Sequence, residues 1–576
     1  MRRIELRDLD GPNLFLLAPA IKLELAVGPD DLRPDALAAL AARLEPLGLA
    51  DDAPPAGAAA LGGLLADALV ALCERAGAPE PDVHWAALET PGHHALAWTW
   101  DHRRFGLGIG EALAAVATGE AVDLRAEADR LRVLLAERDE DDAPLLVRDA
   151  DRRRPIVAVT GTNGKTTTTR LIAHILAGAG LRPGWATTAG VYIDGDKVLD
   201  GDYSGPSGAR TVLEAPDVDV AVLETARGGI LLRGLAYESN DVAVFTNVSA
   251  DHLGLQGIQT VEGLAKVKSL VVRVTRADGW AVLNADDPLV RGAAAGIRAG
   301  RFWISQEPDN PHVTADLADG GRALLVRDGT IVEARGDQEQ PLLAVEEIPI
   351  AFGGVARHMI ENALCAAAAC LALGRAPAEV AAGLRSFGTD PAHNPGRNEV
   401  FRLGGGTVVV DYAHNEIGLT QLLTLARTLT GPAGRLTAVI GSAGDRDDGM
   451  IRGLGRIAGT LADAVVLKGT ERYLRGRADA AEILALLAAG VAEGGGEPPA
   501  SAPTELVAID LALDAMGPGD VVAVMSFEDT AATLARVEAR GGEAVGGGSS
   551  LTPRRDPLRG FDSGDPAAAA GEGAGG

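Results

Sequence analysis

Thr160-Gly161-Thr162-Asn163-Gly164-Lys165-Thr166-Thr167 carries the residue types that hold a nucleotide phosphate. Gly161 and Gly164 permit close backbone approach, and N–H groups at the head of a following helix attract an anion. Lys165 supplies a point charge for the outer phosphates, and the Thr166 hydroxyl suits Mg2+. A standard phosphate loop has a further glycine with four residues between it and the Gly-Lys pair; Val159 stands there instead. The plain alternative for this stretch alone is a Gly/Thr-rich turn without ligand. Two acidic positions extend the phosphoryl reading. Glu224 opens Glu224-Thr225-Ala226-Arg227-Gly228-Gly229, and Asp251-His252 lies in Ser249-Ala250-Asp251-His252-Leu253-Gly254.

The elements that position these residues read as strands and helices in alternation. Ile156-Val157-Ala158-Val159 is a short β-branched run, and Leu171, Ile172, Ile175 and Leu176 recur at helical spacing. Val218–Leu223 ends at Glu224, and Val242–Val248 ends at Ser249. Alternation of this kind predicts a parallel sheet with helices on both faces, and such sheets bind ligands outside the carboxyl ends of their strands. A helix over Val261–Val274 carries Lys266 and Lys268, and the strand Trp280–Leu283 leads into Asn284-Ala285-Asp286-Asp287-Pro288. Asn284 and Asp286 have the groups that adenine and ribose need, although the segment alone reads better as an ordinary Asx/Pro turn.

Residues 1–150 form a separate small α+β unit in this reading, with strands at Asn13–Leu17, Ile21–Val27 and His94–Trp100 and helices at 34–47, 58–76 and 110–136. It offers no catalytic constellation, and the acidic run Glu137–Asp142 reads as a solvated boundary. After a central segment to residue 392, Gly/Pro-containing Thr389–Arg397 marks a junction. A second doubly wound domain follows over 393–543, with strand ends at Asp411-Tyr412-Ala413-His414, Gly444-Asp445-Arg446-Asp447 and Ser526-Phe527-Glu528. There Arg475 and Arg477 could clamp a substrate carboxylate bidentately, the plain alternative being a solvated arginine pair. The Gly/Ala/Pro-rich tail 544–576 has too little apolar content to fold and is expected to be disordered.

At 576 residues the chain exceeds one core, and with 47% apolar but only 3% aromatic residues that core is Ala, Val and Leu. A net charge of −27 disfavours nucleic-acid and anionic-membrane partners. Cys73, Cys365 and Cys370 lack metal-ligand spacing and fit a reduced cytoplasm. No apolar run approaches the roughly 20 residues that span a bilayer. Only six of the 53 basic residues are lysines, among them Lys165, Lys266, Lys268 and Lys468, which suits a chain that keeps lysine for amine chemistry.

Assembled, these motifs resemble the Mur ligase family, ATP-dependent enzymes that join a carboxylate to an amine. The resemblance is carried by the 160–167 loop, Glu224-Thr225, Asp251-His252, Asn284-Ala285-Asp286-Asp287, Pro395-Gly396-Arg397, Asp411-Tyr412-Ala413-His414 and Gly444-Asp445-Arg446-Asp447. Within the family the chain looks most like the ligase part of the cyanophycin synthetases, through Arg170–Ile175, Leu264–Ser269 and Arg472–Arg477. Leu9-Asp10-Gly11-Pro12-Asn13-Leu14 looks like their N-terminal domain. Their intervening ATP-grasp domain is absent here, so the resemblance implies that this chain does not make a polymer alone and works with a separate ATP-grasp partner or as a homo-oligomer. It implies ATP and Mg2+ as cofactors, an acidic acceptor and an amine or amino-acid donor, and an acyl-phosphate intermediate. Gly161, Thr162, Asn163, Gly164, Lys165, Thr166 and Thr167 would hold ATP, with Asn284, Asp286, Asn362, Arg397, Asp411 and His414 completing the site on domain closure. Thr166, Glu224, His252 and a carbamylated lysine, Lys268 with Lys266 as the alternative, would serve the metal. Met359 departs from the asparagine common in the family. The competing reading from another class is a non-catalytic scaffold or regulator of a partner ligase. A P-loop kinase or GTPase leaves the second doubly wound domain without a role.

Overall fold

The computed structural model describes residues 1–49, 56–137, 142–251, 253–470, 472–477 and 479–546. The β-branched run Ile156–Thr160 is a strand with all five residues buried. It pairs in parallel with Val220–Glu224 on one side and Asn240–Phe245 on the other, and Asn240–Phe245 pairs in parallel with Thr275–Asn284. Pro183–Thr187 continues the parallel order beyond Val220–Glu224, and Gly190–Ile193 and Asp196–Leu199 add an antiparallel edge. Strands covered on both faces need continuous apolar runs, which places Val159 as a core residue of its strand, 0% exposed. The registers set Val159 opposite Glu224, Thr160 opposite Phe245 and Phe245 opposite Leu283. The carboxyl ends therefore share one edge.

By packing, the chain divides into two compact units. The first comprises 1–169, 179–303 and 372–374, and the second 170–178, 304–371 and 375 onward. The division runs through the stretch 151–392 expected as one central domain. In the first unit the N-terminal part is a four-stranded antiparallel sheet ordered Arg2–Leu9, Ala20–Ala26, His93–Thr99, Val83–Ala87. Its core is shared with helices Pro34–Leu44, Ala58–Ala76, Arg103–Thr118 and Leu124–Ala136.

Three expectations for this part are corrected. Asn13–Leu17 is a turn, because the Asn13 side chain satisfies the backbone locally. Its Oδ1 accepts the N–H groups of Phe15 and Leu16 at 3.0 and 3.1 Å, and its Nδ2 donates to the Gly11 and Ala18 carbonyls. The expected helix 110–136 breaks at Gly119, φ 89°, and restarts where Asp123 caps the N–H groups of Arg125 and Ala126. Asp142, expected in solvent, is buried, and its carboxylate accepts the Arg104 backbone N–H and Nε, which lower its pKa against the cost of burial. Residues 138–141 of that run lie outside the described residues.

In the second unit, Arg322–Arg327, Thr330–Arg335 and Gln338–Ala344 form antiparallel hairpins. Helix Arg357–Ala372 buries every residue from Asn362 to Leu371, with Cys365 and Cys370 as small core residues. The C-terminal sheet runs Ala500–Ala502, Ala464–Lys468, Leu436–Ile440, Val521–Met525, Gly406–Asp411, Glu399–Leu403, Glu543–Val545, parallel except at the last two strands. Glu543–Val545 pairs with Val400–Arg402, so ordered backbone continues past the predicted boundary at 543. Residues 547–576 of the expected tail lie outside the described residues. Among the described residues no helix is long and apolar enough to cross a membrane.

Candidate active site

The phosphate loop is held by the segment that follows the neighbouring strand. Thr246 Oγ1 donates to the Asn163 carbonyl at 2.7 Å, and Asn247 Oδ1 accepts the Asn163 N–H at 2.9 Å. The Thr162 N–H donates to the Asn247 carbonyl at 2.8 Å, and the Ser249 N–H to Thr162 Oγ1 at 3.0 Å. Gly161 has φ +148°, and a Cβ there would sit 1.9 Å from Thr246 Oγ1. Only glycine tolerates both conditions. Lys165 Nζ donates to the Thr162 carbonyl at 2.8 Å, so its ammonium lies against the loop. Thr246 and Asn247 went unremarked as site residues in the sequence because their apolar neighbours drew them into the strand. Their place at a strand's carboxyl end was the available signal.

At the head of the helix Lys165–Gly178, Thr166 Oγ1 donates to Glu224 Oε2 at 2.9 Å. The Thr188 N–H reaches the same oxygen at 3.3 Å, and the Thr188 hydroxyl lies 3.2 Å from that of Thr166. Among the described residues no three His, Cys, Asp or Glu side chains gather as a metal cluster. One carboxylate and one hydroxyl beside a phosphate loop nevertheless match Mg2+, which binds through one or two carboxylates plus substrate phosphates and water. His252 lies outside the described residues. Asp251 is buried.

Lys268 is 4% exposed and its Nζ donates to the Gly161 carbonyl at 2.5 Å, whereas Lys266 is exposed. Burial, then the Lys165 ammonium, push the Lys268 amine well below the lysine range, with Asp251 and Glu224 opposing and Arg227 adding to the shift. Arg227, a residue the sequence reading left without a role, thus belongs to this cluster, and its Nη1 donates to the Leu255 carbonyl at 3.2 Å. Of the adenine candidates, Asn284 turns its Oδ1 onto the Asp286 N–H at 3.0 Å, closing an Asx turn. Asp287 caps the next helix with Oδ1 and accepts the Val248 N–H at 2.7 Å with Oδ2, tying that turn to the segment behind the phosphate loop.

The second unit gathers Arg397, Asp411 and His414 around Tyr412. The Arg397 guanidinium lies 4.3 Å from the Tyr412 ring centroid, and His414 Nδ1 is 3.1 Å from the Tyr412 carbonyl. Asp411 Oδ2 accepts the Asn398 N–H at 2.8 Å, and burial raises its carboxyl against the pull of Arg397. Asn362 is buried with Nδ2 3.6 Å from Met359 Sδ. The arginine pair divides its work. Arg475, at φ 44°, pairs with Asp445 at 2.5 Å, while Arg477 donates to the Gly444 and Arg446 carbonyls and pairs with Asp448 and Glu482. Arg477 thereby holds the 444–448 loop. Nearby, Tyr473 and Phe527 rings lie 6.2 Å apart. Buried oxygens Asp445 Oδ1 and Glu528 Oε1 have no hydrogen-bond partner among the described residues.

Comparison with known proteins gives this geometry a family. The Mur ligase middle domain matches residues 159–370, and the Mur ligase, glutamate ligase domain matches residues 396–526. Cyanophycin synthetase of Trichormus variabilis is 41% identical over 324 residues, 56% of this chain and 36% of its own length. That of Synechocystis sp. is 43% identical over 319 residues, 55% of this chain and again 36% of its own. The chain thus spans little more than a third of these relatives. UDP-N-acetylmuramoyl-L-alanyl-D-glutamate--2,6-diaminopimelate ligase of Alkalilimnicola ehrlichii is 31% identical over 410 residues, covering 67% of this chain and 76% of that one. In fold, the chain is similar to E. coli FolC in complex with ADP, with TM-score 0.50 and 22% identity over 67% of this chain and 90% of that one. With both family domains in order behind a phosphate loop whose threonine meets Glu224, this chain belongs to the Mur ligase family.

Proposed function

We propose that this chain is an ATP-dependent carbon–nitrogen ligase that joins an acidic acceptor's carboxylate to an amine or amino acid and releases ADP and phosphate. The observation that carries this reading is the Thr166–Glu224 contact of 2.9 Å at a phosphate loop, beside a buried Lys268. Activating a carboxylate with ATP brings two anions together, so charge neutralisation dominates the barrier. Lys165 and the N–H groups at the head of its helix hold the outer phosphates, those of Thr162 and Asn163 being taken by Asn247, and Arg227 adds a guanidinium to the same cluster. Mg2+, when bound at Thr166 and Glu224, supplies neutralisation of the phosphate oxygens. Burial disfavours the charged ammonium of Lys268, and the neutral amine is the form that adds CO2: its nitrogen bonds the carbon, a proton leaves, and an anionic carbamate results. The carboxylate acceptor oxygen attacks the γ-phosphorus, ADP departs, and the amine then displaces phosphate from the acyl carbon.

The similarity to cyanophycin synthetases supports an amino-acid amine. A pool of amino acids supplied with acidic peptides, Mg2+ and ATP tests the reading. Expected are ADP, phosphate and a product whose mass equals acceptor plus amino acid less one water. AMP and pyrophosphate, or no turnover by a folded chain across the pool, contradict it.

A further inference from the structure

Two segments that carry the site's chemistry are gripped by the N-terminal part of the same unit. Glu89 lies on the turn between strands Val83–Ala87 and His93–Thr99. Its Oε2 accepts the N–H groups of Gln259 and Thr260 at 2.5 and 2.9 Å, and its Oε1 accepts the Thr260 hydroxyl at 3.1 Å. The Thr260 Oγ1 in turn caps the helix Val261–Arg273 by accepting the Gly263 N–H at 2.9 Å. A Cβ at Gly263 would lie 1.6 Å from Glu89 Oε1, so any side chain there displaces the carboxylate. Lys268 follows eight residues after Thr260, about 12 Å along the helix. The second grip uses the Leu9–Leu14 motif. The Asp10 N–H donates to the Arg233 carbonyl at 2.8 Å and the Leu235 N–H to the Pro12 carbonyl at 2.9 Å, at the end of the helix that Arg227 begins.

We propose that Glu89 is a positioning residue of the ligase. Its carboxylate, supplied by the N-terminal domain, fixes the loop that carries Asp251 and the start of the lysine helix, and through that rigid helix the place of Lys268 against Gly161. A negative charge at a helix N-terminus is favourable, and the carboxylate satisfies at once the N–H of the N-cap Thr260 and that of Gln259 before it. The N-terminal domain is therefore part of the catalytic apparatus of this chain, although it contributes no group to the reaction itself. The inference rests on the ligase reading above.

The test uses the full chain with Glu89→Ala, Glu89→Gln, which keeps an acceptor but drops the charge, and Gly263→Ala, which displaces the side chain. Glu111→Gln, in an exposed pair with Arg3, is the control. Without nucleotide or metal, Glu89→Ala and Gly263→Ala speed amide exchange from Gln259 to Lys268 by about tenfold, the loss of one or two charge-assisted hydrogen bonds, while Glu111→Gln leaves it unchanged. In ADP release, the same two variants raise the Mg2+ concentration for half-maximal rate by about fivefold or more, with KM for ATP at saturating Mg2+ within about twofold and Glu89→Gln intermediate. Unchanged exchange, or an unchanged Mg2+ requirement with only thermal stability reduced, overturns the positioning role. If the wild-type chain releases no ADP with any substrate pair, the ligase reading is what fails. Glu89 is then judged by Mg2+-dependent binding of a non-hydrolysable ATP analogue, where the same shift in Mg2+ requirement supports it and none overturns it.

Discussion

Lys266 and Lys268 sit two residues apart on one helix, and only Lys268 is buried. In the sequence, the resemblance of Ser269–Val272 to the family's helix favoured Lys268 but left Lys266 open; the spacing along the helix explains the difference the structure shows. Leu264, Lys268 and Val271 follow the i, i+4, i+7 spacing of an apolar face, so a lysine among them has to turn inward. Its companion Arg227 was not legible in the sequence, because its partners come from the 251–260 loop rather than from its own helix. Replacing Lys268 with Ala is expected to lower kcat by about two to three orders of magnitude, the usual cost of losing a group aimed at developing charge. A carbamate at Lys268 adds a second signature: wild-type turnover falls in CO2-depleted buffer and recovers on adding bicarbonate, while Lys268→Ala does not respond. Steady-state ADP release checks both. For Thr166→Val, which removes a hydrogen bond to a carboxylate, a loss of about 1.5–3 kcal/mol in Mg2+·ATP binding or transition-state stabilisation is expected and is measured by kcat/KM.

Strands were the most readable elements, since burial on both faces forces continuous apolar runs such as Ile156–Val159 and Val521–Met525. What fastens the phosphate loop was less readable. The Thr246 and Asn247 contacts depend on the register that sets Phe245 opposite Thr160, and pairing between strands some 80 residues apart is not written in either strand alone. Asn13 shows the opposite failure, in which an apolar run predicted a strand and one side-chain amide folded it into a turn. At Gly161, an alanine meets both a left-handed φ and the Thr246 hydroxyl, so Gly161→Ala is expected to cost about 1–3 kcal/mol in strain and to weaken ATP-analogue binding by about tenfold or more. Adding Thr246→Ala removes the close atom but not the φ. Calorimetry on the double variant should therefore show partial recovery, and a double variant no better than Gly161→Ala alone would place the whole cost in the backbone.

On the scale of the molecule, the sequence identified the pieces but not their packing. Residues 1–150 read as independent, yet they share a compact unit with the phosphate-loop sheet through backbone contacts at Asp10, Pro12 and Leu235 and through the Glu89 carboxylate. Such contacts join surfaces rather than periodic patterns. Acid stability reports on the second unit. Burial lowers His358 to about 4, and Asn398 Nδ2 lies 2.6 Å from its Nε2; His174 is likewise lowered to about 4 by burial and then by His393. Between the unfolded value near 6.5 and about 4, the unfolded chain binds the extra protons, so stability falls as pH drops through that window, by at most about 1.4 kcal/mol per pH unit for each histidine. Asp411, raised by burial, works in the opposite direction at the acidic end. Thermal melts across this range should be steeper in wild type than in His358→Gln, and equal slopes would remove His358 from the explanation.

The identity of the activated group is the claim from which the ligase reading draws its meaning. It is tested most directly with a substrate acceptor whose carboxylate oxygens are labelled with a heavy isotope, incubated with amine, Mg2+ and ATP, followed by mass spectrometry of the released phosphate. Transfer of one labelled oxygen into each phosphate, with ADP as the other product, is the expected result. Unlabelled phosphate accompanying amide formation, or label appearing in AMP, would contradict it.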